Sequence, residues 1–139
     1  MGETVALFPT TSFPHPLPTA SHIALGRLGE EEACLHLLME GYVLLDRNWR
    51  SGHLEIDIVA EYHGEIVFVE VKTRRNEVFA SAESAADEQK MRRIAAAART
   101  YMHEKGLWQP YRFDVIAVVG EAPPFTLHHH RFAYRPHRA

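Results

Sequence analysis

Two apolar runs on either side of the dipeptide His63-Gly64 predict a β-hairpin, which constrains the fold more than any other part of the chain. The runs are Leu54–Ala60 and Val67–Lys72, and each has the apolar character of a buried strand. Glycine adopts positive φ freely and histidine tolerates it better than most residues, so the dipeptide suits a two-residue hairpin turn. The chain is therefore expected to contain two antiparallel strands in a defined register.

The register of this hairpin brings charged side chains together. Residues opposed across a turn at 63 and 64 have numbers that sum to 127, so Asp57 faces Glu70 and Glu55 faces Lys72. Directly opposed residues have Cβ atoms about 4.5–5.5 Å apart. The opposite face of the hairpin is an expected core face, formed by Ile56, Ile58, Ala60, Val67, Val69 and Val71. A slip of one residue would turn Asp57 toward that core, so the pattern favours this register.

An acid and a base within an apolar strand require an explanation, because burying charge is costly unless the charge is satisfied. Glu70 and Lys72 project to the same side of their strand, roughly 6–7 Å apart. Two opposed carboxylates repel each other unless a proton or a cation lies between them, and Mg²⁺ is typically bound by one or two carboxylates. The alternative is a charged ladder, in which Glu55 pairs with Lys72 while Asp57 and Glu70 face solvent.

Composition indicates a single globular domain. The chain has 139 residues, of which 46% are hydrophobic and 24% charged, and a net charge of −3 with neutral histidines. This charge argues against a surface coated by nucleic acid, although basic residues cluster at 72–75 and 90–93 and allow a local basic groove. The single cysteine, Cys34, excludes an intrachain disulfide and is expected to be a small buried residue.

Residues 1–20 are rich in Pro, Thr and Ser and predict a flexible arm, which precedes one domain over 21–135. The sequence contains no apolar run of membrane-spanning length and no standard secretory signal, so a cytoplasmic protein without a membrane partner is expected. The histidines at 128–130 are poor joint metal ligands, because consecutive residues of an extended segment point to alternating faces.

The remaining patterns predict an α/β domain with helices packed on a mixed sheet. The expected order is a helix over 21–40, a strand over 42–49, the two hairpin strands, a helix over 84–105, a strand over 112–119 and a short fifth strand over 125–132. Gly41 ends the first helix, and Ser84-x-x-Asp87 resembles a capping box for the second. Glu30 lies on the apolar face of the first helix and points inward. Asp114, in the fourth strand, is given a structural role.

Seven short motifs occur in an order that resembles one branch of the PD-(D/E)XK nucleases. They are Gly29-Glu30-x-x-Ala33, Gly41-Tyr42, Arg47-Asn48-x-Arg50, Glu55-Ile56-Asp57-Ile58, Phe68-Val69-Glu70-Val71-Lys72-x-Arg74, Lys90-x-x-Arg93-Ile94 and Arg112-Phe113-Asp114-Val115. Together they span about residues 22–134 and resemble the YraN-like bacterial family of predicted endonucleases, which is distantly similar to archaeal Holliday-junction resolvases. The resemblance implies the restriction-endonuclease-like core of that superfamily. One departure is Leu54, where the family usually has glycine.

The resemblance implies a metal-dependent endonuclease that hydrolyses phosphodiester bonds of DNA, with branched or recombination and repair intermediates as candidate substrates. By this resemblance Asp57 and Glu70 would be the central ligands of Mg²⁺ or Mn²⁺. Glu30 would complete the metal site from the first helix. Lys72 would assist the attacking water.

Further residues are expected to support that site. Arg74 and Lys90 would hold flanking phosphates. Arg47 and Arg50 would do likewise, and a structural loop is an equal alternative for them. Glu55 would position the lysine that it faces. Several nucleases of this fold act as dimers, so a homodimer is also a candidate assembly.

Two other functions fit the same sequence. One is a nucleic-acid-binding module that keeps the fold without cleaving, although pure binding needs no buried acids, which repel phosphate. The other is a structural or partner-binding domain that acts through the Pro-rich arm. Cleavage assays with Mg²⁺ or Mn²⁺ separate these functions from an endonuclease.

Overall fold

The fold is a five-stranded sheet with one helix packed on each face, as described for residues 22–76 and 88–134 by a computed structural model. The elements are α1 His22–Met39, β1 Val43–Ser51, β2 Leu54–Tyr62, β3 Glu65–Arg74, α2 Glu88–Glu104, β4 Tyr111–Val119 and β5 Thr126–Tyr134. The strands follow the order β1-β2-β3-β4-β5; β4 runs parallel to β3, and all other neighbours are antiparallel. The predicted mixed α/β architecture is confirmed, including the fifth strand.

Two expected features lie outside the described residues, namely the arm over 1–20 and the capping motif Ser84-x-x-Asp87. Helix α1 ends just before Gly41, as expected, and the φ of 93° at Gly41 suits a glycine that ends a helix. Within the described residues, neither helix is long and apolar enough to cross a membrane.

The β2–β3 hairpin forms around the predicted turn. His63 and Gly64 have φ angles of 52° and 82°, and a type I′ turn requires positive φ at both of its central positions. The paired residues extend from the turn to Ile58 and Val69, and the two numbers of every pair sum to 127. The predicted register is therefore confirmed over this length.

The pairing of β2 with β3 ends at Ile58 and Val69, before it reaches the expected acid pair. Beyond this point the backbone N–H of Val71 donates a hydrogen bond to Oδ2 of Asp57, at 2.8 Å. A side-chain carboxylate thus replaces a backbone carbonyl as the acceptor. The two strands lose their direct pairing where the predicted site residues begin.

This change corrects two expectations about the hairpin. Asp57 is not a ladder partner of Glu70, although the carboxyl groups of the two residues still contact each other. The ladder also does not extend to Glu55 and Lys72. Glu55 instead lies opposite Arg50 of β1, and their side chains form an ion pair at 3.5 Å. The structure therefore ties Glu55 to β1 and not to the lysine that it was expected to position.

Both faces of the hairpin are buried, whereas the sequence predicted one core face. Val59 and Phe68 are fully buried on the face under α2, beside the apolar stripe of that helix formed by Met91, Ile94, Ala95, Ala98, Tyr101 and Met102. The face under α1 packs against Ala33, Cys34 and Leu37. The alternation of β2 changes at Asp57, because Ile56 joins the α2 cluster while Ile58 joins the α1 cluster. The expectation that these two isoleucines share a face was wrong.

Helix α1 approaches β3 closely at Gly29. A Cβ atom on Gly29 would lie 2.0 Å from Oγ1 of Thr73 and 3.1 Å from its Cβ and Cγ2 atoms. Since real Cβ atoms need more space than this, glycine permits an approach that other residues would prevent. The approach holds the next residue of the helix, Glu30, near the end of β3.

A buried polar network joins β4 and β5 to α1. Asp114 is fully buried and accepts hydrogen bonds from Nε and Nη2 of Arg112, at 3.1 and 3.2 Å. It also accepts bonds from Nε2 of His129, at 2.8 Å, and from the N–H of Phe132, at 3.1 Å. The other ring nitrogen of His129 lies 3.0 Å from Nε2 of His36 in α1. Burial opposes ionisation of Asp114, but these donors outweigh burial and lower its pKa.

Replacing Gly29 with alanine should destabilise the fold by about 1–3 kcal/mol, because the added methyl group would overlap Thr73 and force α1 away from β3. Gly26 of the same helix is a matched control, since a Cβ atom there would meet nothing within 4 Å. Gly26→Ala should leave stability unchanged or raise it by up to about 1 kcal/mol. Urea unfolding measures both variants, and equal stabilities would contradict the close approach.

Replacing Asp114 with asparagine should destabilise the protein by about 3 kcal/mol at pH 7, because the buried Arg112 loses its fully buried carboxylate partner and keeps only its ion pair with the partly exposed Glu65. The folded-state pKa of Asp114 is lowered, so its stabilising effect is fully present above the unfolded-chain pKa of about 4. The effect is lost as pH falls through the lower, folded-state pKa. When urea unfolding is measured from pH 7 to pH 3, the difference in unfolding free energy between the wild type and the variant should become smaller at the acidic end. A constant gap would show that the charge of Asp114 does not matter.

Candidate functional site

A polar cavity of about 270 Å³ opens at the end of the sheet where β2 and β3 stop pairing. Its lining includes Glu30 from α1, Asp57 from β2, Thr73 and Arg74 from β3, and Lys90 from α2. Four elements that are distant in the chain therefore contribute polar side chains to one place. The two remaining predicted catalytic residues, Glu70 and Lys72, lie in β3 next to this lining.

Asp57 is held between the two diverging strands. Its Oδ2 accepts the N–H of Val71, as described above, and its carboxyl group contacts that of Glu70. Burial, together with the charge of Glu70, raises the pKa of Asp57 to about 7. Near neutral pH the two acids therefore form a site that either a proton or a cation neutralises.

Glu70 is buried beside a lysine of the opposite helix. Its side chain is 4% exposed, and its Oε2 lies 2.6 Å from Nζ of Lys90. Burial acts to lower the pKa of Lys90, but its contact with Glu70 and the charge of that residue outweigh burial and raise the pKa. Although Nζ of Lys90 is close, this oxygen of Glu70 accepts no hydrogen bond of good geometry from any of the described residues. Its lone pairs therefore suit a cation.

Lys72 lies two residues beyond Glu70 in β3 and is 8% exposed. Burial lowers the pKa of its ammonium group, and the charge of Glu70 only partly offsets this effect. A lysine with a lowered pKa releases its proton more readily than an exposed lysine does. The environment of Lys72 therefore suits a side chain that exchanges a proton with a nearby water molecule.

Glu30 is held at the cavity by β1. Nδ2 of Asn48 donates a hydrogen bond to Oε1 of Glu30, at 3.1 Å, and Nη2 of Arg47 lies 3.9 Å from the same oxygen. Burial and the charge of Asp57 raise the pKa of Glu30. The sequence did not reveal the positioning role of Asn48. The available signal was an asparagine inside a predicted strand, because asparagine tolerates the positive φ (50°) that it adopts here.

The four basic residues expected to contact nucleic acid divide into two pairs. Arg74 and Lys90 line the cavity. Arg47 and Arg50 form ion pairs with glutamates, at 3.2 and 3.5 Å, and belong to the β1 side of the site. The structure therefore places the first pair where it would meet a phosphate in the cavity.

The donor set offers two carboxylates, not three, as joint metal ligands. Over 22–76 and 88–134, no three acidic, histidine or cysteine side chains lie close enough to bind one ion together. Asp57 and Glu70 are in contact, and Mg²⁺ typically takes one or two carboxylates and completes its octahedral shell with water and phosphate oxygens. The pair fits Mg²⁺ or Mn²⁺, while Glu30 fits a contact with such an ion through water.

Comparison with known proteins places these residues in a family. A sequence profile of the uncharacterised protein family UPF0102 matches residues 29–118, which include Glu30, Asp57, Glu70 and Lys72. The chain belongs to this family. UPF0102 is the YraN-like family that the sequence motifs resemble, and its members are similar to PD-(D/E)XK nucleases.

Relatives of this UPF0102 chain match it over most of its length. A UPF0102 protein of Phocaeicola vulgatus is 44% identical over 117 residues, which cover 84% of this chain and 97% of the relative. A UPF0102 protein of Bacteroides thetaiotaomicron is 45% identical over 117 residues, which again cover 84% of this chain and 97% of the relative. One from Oleidesulfovibrio alaskensis is 47% identical over 103 residues, covering 73% of this chain and 51% of the relative.

Replacing Asp57 with asparagine should stabilise this UPF0102 protein above neutral pH when metal is absent. The pKa of Asp57 is raised from 3.8 to about 7 on folding, so the fold favours the protonated form. The stability that protonated Asp57 contributes to the fold is fully present below about pH 4 and is lost as pH rises through 7. Asparagine stays neutral, so the variant should be about as stable as the wild type at pH 4. At pH 8 it should be more stable by about 2–4 kcal/mol.

Urea unfolding in EDTA, from pH 4 to pH 8, measures this effect. Glu104→Gln removes an exposed carboxylate from the end of α2 and is the control, because its pH profile should follow the wild type. If the profiles of the wild type and Asp57→Asn ran parallel, the fold would not raise the pKa of Asp57.

Proposed function

We propose that this protein is a metal-dependent endonuclease that hydrolyses phosphodiester bonds of DNA. The observation that carries the proposal is the buried, contacting pair of carboxylates, Asp57 and Glu70, close to the ammonium groups of Lys72 and Lys90. A purely structural domain gains nothing from two such acids, because their burial without a cation opposes folding. The family resemblance suggests branched DNA, or recombination and repair intermediates, as substrates.

The acidic residues would prepare the site for a metal ion. Asp57 and Glu70 would hold Mg²⁺ or Mn²⁺, and Glu30, fixed by Asn48, would contact the ion through water. The bound ion would polarise the phosphate and lower the pKa of a bound water molecule. The hydrogen bond from Val71 would hold the Asp57 carboxylate in position beside Glu70 for this purpose.

Lys72 would act on the attacking water or on the charged phosphorus intermediate. As an ammonium it would stabilise the negative charge that develops on the phosphate oxygens. As a neutral amine it would accept a proton from the water that attacks phosphorus. Burial lowers the pKa of Lys72, which favours the second role relative to an exposed lysine. Arginine would not replace it in that role, because guanidinium keeps its proton.

Arg74 and Lys90 would bind the phosphates that flank the scissile bond. Both residues line the cavity together with Glu30 and Asp57, so a phosphate held by a metal ion at the acids would lie close to these two basic groups. Arg47 and Arg50 are engaged by glutamates and would contribute less to binding.

The other two functions make different predictions. A binding module has no need of buried carboxylates near the phosphate, because like charges repel. A structural or partner-binding domain needs neither the acids nor the buried lysine. A cytoplasmic location and a homodimer stay predictions from the sequence, and light scattering of the purified protein tests the homodimer.

The purified protein should cleave DNA in Mg²⁺ or Mn²⁺ and be inactive in EDTA. Asp57→Asn should reduce cleavage about 10³-fold, because it removes a metal ligand. Lys72→Met should reduce it about 10²–10³-fold, because it removes charge stabilisation at the phosphate. Lys72→Arg tests proton transfer and should be nearly as impaired as Lys72→Met. Single-turnover cleavage of single-stranded, duplex, flap and four-way DNA measures these rates.

Arg92→Ala is the matched control for these variants. It removes a positive charge from the exposed side of α2, where Arg92 pairs with Glu88 at 3.0 Å, and it should retain wild-type cleavage. Cleavage that survives Asp57→Asn would disprove the assigned site. DNA binding without cleavage in either metal would favour a binding module, and neither binding nor cleavage would favour a partner-binding domain.

A further inference from the structure

Lys90 occupies the place at which a metal ion would meet Glu70. Its Nζ lies 2.6 Å from the buried Oε2 of Glu70, and the charge of Asp57 also acts on it. An Mg²⁺ ion bound to the same oxygen at about 2.1 Å would lie within about 5 Å of that nitrogen. Two cations so close together repel each other. The ammonium and the metal ion therefore compete for Glu70.

The two partners of this ion pair differ in their freedom to move. The side chain of Glu70 is 4% exposed and lies within the sheet, whereas the side chain of Lys90 is 59% exposed. Lys90 also lies near Glu88, the first described residue of α2, and its ammonium group ends a flexible four-carbon side chain. When a more highly charged cation arrives, the lysine side chain can therefore move away from Glu70 within the open cavity while the carboxylate stays in place.

We propose that Lys90 is a displaceable counter-ion: it neutralises the Asp57–Glu70 pair while metal is absent, leaves when metal binds, and then binds a phosphate of the substrate. The inference rests on the proposed function, because it gives the order in which metal and nucleic acid occupy that same site. It also gives Lys90 a role that its charge alone would not imply.

Displacement of Lys90 links metal binding to phosphate binding. Once released from Glu70, the ammonium remains at the cavity lining beside Arg74, and the lining becomes more positive toward a substrate phosphate. Phosphate that holds Lys90 away from Glu70 in turn leaves the acid pair open to the ion. Because such coupling is reciprocal, each ligand should raise the affinity for the other.

Lys90→Met keeps most of the side-chain length and removes the charge. It should bind Mn²⁺ about fivefold more tightly than the wild type, because the ion no longer has to displace an ammonium. Lys90→Arg keeps the charge and should bind Mn²⁺ with nearly wild-type affinity. Arg92→Met removes a charge two residues along the same helix and should leave the affinity unchanged. Titration calorimetry with Mn²⁺ at pH 8, without nucleic acid, measures all four proteins.

Thermal unfolding provides a second readout that does not depend on activity. In EDTA, Lys90→Met should unfold at a lower temperature than the wild type, because the acid pair has lost its counter-ion. Saturating Mn²⁺ should narrow this difference, since the ion neutralises the same acids in both proteins. Arg92→Met should show the same response to Mn²⁺ as the wild type.

The outcomes separate this inference from the proposed function. Equal or weaker Mn²⁺ binding by Lys90→Met, with wild-type binding intact, would overturn the counter-ion role and leave the proposed function standing. Tighter binding by Arg92→Met to the same degree would indicate a general charge effect and would also overturn it. Failure of the wild type to bind Mn²⁺ would overturn both proposals.

Discussion

The hydrogen bond from the N–H of Val71 to the carboxylate of Asp57 is the interaction on which the candidate site depends. This hydrogen bond forms where the backbone pairing of β2 with β3 ends. The strands therefore separate while the N–H of Val71 still has an acceptor. The cavity opens at that separation. The same bond holds Asp57 in a buried position beside Glu70. Burial and the charge of Glu70 raise the pKa of Asp57, although the bond from Val71 itself acts to lower it.

Features set by neighbours in the chain were predictable from the sequence. The hairpin register followed from the positive-φ turn at His63 and Gly64, and the inward position of Glu30 followed from helical spacing. Both depend on residues a few positions apart, where periodicity is informative. The order of the helices and strands along the chain was likewise predictable, because each apolar run and its spacing indicate one element.

Features set by contacts between distant residues were not predictable. The early end of the ladder depends on one side chain that competes with backbone pairing, and a hydrophobic pattern does not record such competition. The partner of Glu55 depended on the register of β1, which places it opposite Arg50. The link from Asn48 to Glu30 joins two separate elements. In each case the sequence contains the residue but does not indicate which distant residue it contacts.

The rest of the fold makes such a charged site tolerable. Apolar clusters cover both faces of the sheet, and the network around Asp114 ties β4 and β5 to α1, so stability does not rest on the cavity end. Strands held this firmly elsewhere can keep two carboxylates in contact at one end, even though the charge of Glu70 disfavours the ionisation of Asp57. Lys90 reduces that repulsion from outside the sheet. Under the proposed function, a counter-ion on an exposed side chain would let a metal ion neutralise the acids in its place without any movement of the strands.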